Sequence, residues 1–105
     1  MIIDRQKALD ELGIPEDIYD ELLHIFIAQT DLEIHDLTDA VQSQNLEKAA
    51  KTAHSIKGSA VNLRIDDIHN LAKEIESDAK GNKDIKSIAE KTSKLKAMFE
   101  ELKKM

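Results

Sequence analysis

Cysteine is absent from the 105 residues of the chain, which excludes a disulfide framework, a thiol nucleophile and any thiolate-held zinc or iron–sulfur centre. Aromatic side chains are scarce: Tyr19, Phe26 and Phe99 are the full set, with no tryptophan, so the core must be aliphatic. No apolar run approaches the ~20 residues that span a bilayer. Met1-Ile2-Ile3-Asp4 lacks the basic flank and apolar stretch of a signal peptide. A cytoplasmic protein without a membrane partner is therefore expected. Proline occurs once and glycine three times, so each break in the chain stands out.

What is present suits a single soluble globular domain over 1–105, with 41% hydrophobic and 34% charged residues. The 15 Lys and Arg against 21 Asp and Glu give a net charge of −6, which argues against the basic face that nucleic acid requires. The charge is unevenly spread. Residues 1–52 hold 12 acids and 4 bases, net −8, and residues 53–105 hold 9 acids and 11 bases, net +2. Within 45–64, Lys48, Lys51, Lys57 and Arg64 face one acid, Glu47. This basic stretch in an acidic chain calls for a cause.

The punctuation predicts five helices. Asp4 caps a short first helix over 5–12, with Leu9 and Leu12 inward, and Gly13 fits the left-handed position after it. Pro15 suits the first turn of a long second helix over 15–43, where Glu16 and Asp17 favour the positive end of the helix dipole. Its stripe is Leu22, Phe26, Thr30, Ile34, Leu37 and Val41, widened by Ile18 and Ile25 on one side and by Leu23 and Ile27 on the other. The latter two are expected to pack beneath the first helix. Asn45 caps a third helix over 46–62, with Leu46, Ala49, Ala50, Ala53, Ile56, Ala60 and Leu63 inward. A fourth, over 66–80, buries Ile68, Leu71, Ala72, Ile75 and Ala79 and closes at Gly81 as its left-handed residue. A fifth, over 84–103, carries Ile85, Ile88, Ala89, Thr92, Leu95, Phe99 and Leu102. No strand-type alternation competes. Short links between long amphipathic helices imply an all-α fold, an up-down-up-down four-helix bundle with the first helix as a lid.

Gly58 breaks this pattern. It falls inside the third helix, where glycine costs about 0.5–1 kcal/mol relative to alanine. The inward row of that helix is 46, 49, 53, 56, 60 and 63, whereas Gly58 lies on an outward row with Glu47, Lys51, His54 and Val61. Close packing against a neighbouring helix is therefore a poor explanation for it. Gly58 sits one turn from His54, with Lys57 three residues after that histidine and Lys51 three before. A neutral imidazole is a nucleophile, and a phosphoryl group attached to it carries negative charge that Lys57 and Lys51 would offset. The bare backbone at 58 would let a partner's surface approach the ring.

Ala53-His54-Ser55-Ile56-Lys57-Gly58-Ser59-Ala60 resembles the signature of histidine-containing phosphotransfer (HPt) domains, a His followed at +3 by Lys and at +4 by Gly. Phe26 in the long preceding helix, Leu37 and Ala40 near its end, Asn62-Leu63 after the motif, and Leu71 to Ile75 also look like that family. The resemblance implies that His54 carries a phosphoryl group between aspartates of response-regulator receiver domains, in a multistep phosphorelay of two-component signalling. Lys57 would stabilise the phosphoryl group and Gly58 would give the receiver room. It further implies no cofactor of its own, with magnesium on the receiver; a receiver domain and a sensor or hybrid histidine kinase as partners; and a monomer that is a phosphoryl carrier without kinase or nucleotide-binding activity. The chain departs from the family at Arg64, where many members have glycine. A stand-alone relay protein and a module of a larger kinase both fit.

Two rivals remain. A non-catalytic helical adaptor would carry no phosphate on His54. A metal-binding bundle would use Glu-x-x-His pairs such as Glu21 with His24, but the apolar stripes leave Glu21, His24 and His69 off the centre, so His24, His35 and His69 read as surface residues and no metal is expected. Ser55 and Ser59 lack the partners a hydroxyl nucleophile needs. Val61, one turn beyond Gly58, is either a boundary core residue or part of an apolar docking patch.

Overall fold

The computed structural model describes residues 3–105, and over these the chain forms five helices and no strand. Met1 and Ile2, part of the stretch read against a signal peptide, lie outside the described residues. The helices are α1 Arg5–Leu12, α2 Glu16–Gln42, α3 Leu46–Asn62, α4 Asp66–Lys80 and α5 Ile85–Lys103. Their starts follow the expected caps. The Asp4 carboxylate accepts from the Lys7 N–H at 3.1 Å, and the Asn45 amide oxygen from the Lys48 N–H at 3.1 Å. Asp84 caps α5 by accepting from the Lys86 N–H at 3.2 Å. Pro15 stands one position earlier than expected. Its φ of −66° is paired with an extended ψ of 154°, so it occupies the N-cap and the first turn starts at Glu16.

The helix ends hold a regularity that composition hides. After α1, Gly13 adopts φ 65° and its N–H bonds to the Leu9 carbonyl at 2.8 Å. The ends of α2, α3 and α4 instead share one paired bond pattern. Asn45, Ile65 and Lys83 donate back to the carbonyls of Ala40, Ala60 and Asp78, while Gln44, Arg64 and Asn82 donate to those of Val41, Val61 and Ala79. Each is a Schellman motif, whose turning residue must be left-handed. Gln44, Arg64 and Asn82 have φ of 58°, 58° and 52°. Gly81 is therefore not the left-handed residue; with φ −83° it is the last, nearly helical position and Asn82 makes the turn. Arg64, where the chain departs from the HPt pattern, stands at a position that glycine would occupy without steric cost.

The four long helices touch in the pairs α2·α3, α3·α4, α4·α5 and α2·α5, closing a ring about the core, and the described chain is elongated, 41 × 20 × 20 Å. The core is aliphatic as composition demands: Leu37, Ile56, Ile68, Ile75, Ile88 and Leu95 are fully buried, with Phe99 beside them. Each such side chain contributes about 2 kcal/mol of burial. Ala49, Ala53 and Ala60 let α3 lie close to its neighbours. Two aromatic contacts brace the end of the bundle near α1. Tyr19, fully buried and absent from the expected stripe, donates its hydroxyl to the Leu63 carbonyl at 2.8 Å. Arg5 lies over the Tyr19 ring and pairs with Asp20. Glu11 reaches Arg64 at 3.3 Å, so α1 is tied both to the start of α2 and to the α3–α4 link.

The second-helix stripe needs correction. Leu22, Ile18 and Ile25 are exposed rather than inward. Leu23 and Ile27 do pack on the core, and they share a row with Asp20, where α1 is tied. The helix was amphipathic over a wider arc than the core uses, and α1 covers only one edge of it. No helix among the described residues is long and apolar enough to cross a membrane.

Candidate functional site

α3 is held against α4 by its alanine row, and this pairing determines what faces His54. The His54 side chain stands out from α3 with 66% of its surface exposed. Its Nδ1 lies 2.8 Å from Oε2 of Glu76 on α4. The same carboxylate accepts from Lys57 Nζ at 2.7 Å through Oε1 and pairs with Lys80 Nζ at 3.1 Å through Oε2. Glu76 itself is buried. A buried carboxylate ordinarily becomes harder to ionise, yet the hydrogen bond from Lys57, helped by those of Lys80 and His54, overrides that and lowers its pKa to about 2.

The tautomer of His54 follows from these contacts. An ionised carboxylate can only accept a hydrogen bond, so Nδ1 must carry the hydrogen. In the neutral ring the lone pair is then on Nε2. A buried anion thus orients the imidazole and leaves the Nε2 lone pair free, the arrangement by which a carboxylate fixes a histidine in many active sites.

The remaining predicted residues fall around this centre in different ways. Gly58 opens on empty space: a Cβ placed there would meet no atom within 4 Å. The glycine therefore serves no internal packing need. Lys57 is half-buried and anchored on Glu76, with two of its three N–H donors still available. Lys51 is not drawn into the cluster. It pairs with Glu47 at 3.6 Å, and both are exposed, a contact worth at most ~1 kcal/mol. It does share with His54 and Lys80 the rim of a groove of about 580 Å³, floored by Leu46, Ala50 and Ala79. Val61 is exposed and lies outside the buried core, which answers the boundary question left by its spacing.

Sequence reasoning missed Glu76 and Lys80. A signal existed: Glu76 sits between Ala72 and Ala79 on the inward row of α4, where a carboxylate is costly unless paired, and Lys80 follows one turn later. His69 was also misread as a surface residue. It is half-buried, and since a carbonyl can only accept, its Nδ1–H donates to the Lys57 carbonyl at 3.1 Å. His24 and His35 are exposed as expected. Among the described residues no group of three or more His, Asp or Glu is placed to hold a metal ion.

The helical bundle thus presents an exposed histidine held by a buried carboxylate. The Hpt domain family matches residues 21–105, and the chain belongs to that family. Members take part in histidine phosphotransfer in two-component signalling and interact with kinases and response regulators. No curated protein and no solved structure matches the chain.

Proposed function

We propose that the chain acts as one HPt domain of a multistep phosphorelay, an up-down-up-down bundle with α1 as its lid, in which His54 Nε2 carries the phosphoryl group. In the accepting step, Nε2 attacks the phosphorus of an aspartyl phosphate on a receiver domain. The N–P bond forms as the P–O bond to the aspartate breaks, and the aspartate leaves as a carboxylate. The imidazole becomes a positively charged ring that keeps its Nδ1 hydrogen on Glu76, so no proton need be released. Transfer onward reverses these bond changes. The observation that carries this reading is the 2.8 Å contact of Nδ1 with Glu76, which leaves Nε2 as the acceptor on an exposed ring.

Lys57 and Lys80, anchored on Glu76, offset the phosphoryl charge, with Lys51 as a more distant cation on the same rim. Gly58 admits the receiver's surface, and Val61 contributes an apolar contact one turn away. Magnesium, when bound, belongs to the receiver, and the chain supplies no cofactor. We further read the protein as cytoplasmic and monomeric in this role. The test is incubation with a phosphorylated receiver. Acid-labile label should appear on the wild type and vanish in His54→Gln. Undiminished labelling of that variant overturns the assignment, and no label on the wild type with any receiver from the same cell favours the adaptor.

A further inference from the structure

α4 reaches the stretch of α3 around His54 through more than its carboxylate. Glu76 holds the side chains of His54 and Lys57. His69, seven residues earlier, lies two turns along the same side of α4. Its Nδ1–H reaches the main chain of α3, at the Lys57 carbonyl 3.1 Å away. Glu76 and His69 therefore grip one short segment, His54 to Gly58, the first by its side chains and the second by its backbone.

The bond from His69 is not required to satisfy that carbonyl. Lys57 lies inside α3, where its oxygen accepts from the N–H of Val61, four residues on. A carbonyl oxygen has a second lone pair, and His69 takes it. The ring does not need the bond for burial either, because His69 is only half-buried on the first turn of α4. The place of the contact gives it another use. The accepting peptide joins Lys57 to Gly58, and glycine is where a helix most readily gives way, proline aside. A Cβ at 58 would meet no atom within 4 Å, so no side-chain packing steadies the backbone there. A bond from the neighbouring helix does. Lys57 Nζ then reaches Glu76 at 2.7 Å from a fixed backbone.

We infer that His69 is a positioning residue for phosphotransfer, whose Nδ1–H bond to the Lys57–Gly58 peptide holds the Lys57 ammonium in place beside His54. The inference rests on the phosphotransfer reading of His54. Because His69 acts through Lys57, it sets the rate of the bond exchange and not the binding of the receiver. The test uses the full chain with His69→Ala and His69→Asn. Alanine keeps α4 helical and donates nothing, whereas the asparagine amide nitrogen stands where Nδ1 stands and can restore the bond. Transfer from a phosphorylated receiver is followed by rapid quench over a range of receiver concentrations. His69→Ala should lower the saturating rate about fivefold, the worth of one neutral hydrogen bond. The half-saturating receiver concentration should stay within about twofold of wild type, and His69→Asn should recover most of the rate. Amide exchange should quicken at Gly58 to Asn62 in His69→Ala and stay unchanged at Ala49 to Ala53. Circular dichroism checks that both variants fold. A saturating rate of His69→Ala within about twofold of wild type overturns the inference. So does an asparagine variant no faster than the alanine one, or unchanged exchange at Gly58 to Asn62. A raised half-saturation at an unchanged saturating rate also overturns it, since His69 would then touch the receiver directly. All of these leave the labelling of His54 intact. Absence of label on the wild type overturns the phosphotransfer reading and this inference together.

Discussion

Glu76→Gln tests the centre of the site, because it keeps the side chain's size and its capacity to accept from His54 Nδ1 while removing the charge. The carboxylate's pKa falls from 4.5 to about 2, which corresponds to about 3 kcal/mol favouring the ionised, folded form. His54 and Lys80 reach Glu76 from side chains that are 66% and 67% exposed, so water screens part of this, and we expect a loss of about 2 kcal/mol. For a domain of this size that lowers the melting temperature by about 10 °C. The sign of the pH dependence follows from a depressed carboxylate: the stability difference between wild type and variant is fully present above pH ~4.5 and disappears as the pH falls towards 2. Transfer should slow as well. The ring gains positive charge as the N–P bond forms, and a charge-assisted hydrogen bond exceeds a neutral one by about 1–1.5 kcal/mol, or about tenfold in rate. Guanidinium unfolding at pH 7 and pH 2.5, nitrogen chemical shifts of the His54 ring, and rapid-quench transfer from a phosphorylated receiver give the readouts. Unchanged stability at pH 7, or an unchanged Nδ1–H tautomer with a transfer rate within twofold of wild type, would refute the role assigned to Glu76.

Gly58→Gln should leave the circular dichroism spectrum unchanged and slow transfer from the receiver, since the space at 58 is open in the free chain; normal transfer would remove the steric role. Tyr19→Phe should cost about 1–2 kcal/mol in chemical denaturation, because it leaves the buried Leu63 carbonyl without the 2.8 Å bond it accepts. Gln44→Gly should stabilise the fold by about 0.5–1 kcal/mol in the same assay, because Gln44 is exposed and held at φ 58°. No gain there would mean that the turn is already relaxed with glutamine.

Much of the fold was legible because it is local. Asp4, Gly13 and Asn45 mark helix boundaries through bonds to residues three or four positions away, and periodicity alone found the inward rows of α3, α4 and α5. The errors arose where the outcome depends on distant parts of the chain. Leu22 has the spacing of a core residue, but whether α2 buries one edge or the other is decided by where α1 docks. Gly81 was the obvious turning residue by composition, yet the bond pattern puts the turn at Asn82. His54, Lys57 and Gly58 were found together because one helix carries them. Glu76 lies 22 residues after His54, and only the α3–α4 pairing reveals that its carboxylate determines which imidazole nitrogen is free.

The open space at Gly58 separates two kinds of selection. Alanine at this position would touch nothing in the free chain and would strengthen α3 by about 0.5–1 kcal/mol. A screen for thermal stability on the isolated protein would therefore choose alanine at 58. A screen for signalling would be blind to that gain and would report only whether the methyl group obstructs the approaching molecule. Under the proposed function, residue 58 would record a requirement set outside the polypeptide, and its tolerated side chains would measure the shape of a surface that belongs to another protein.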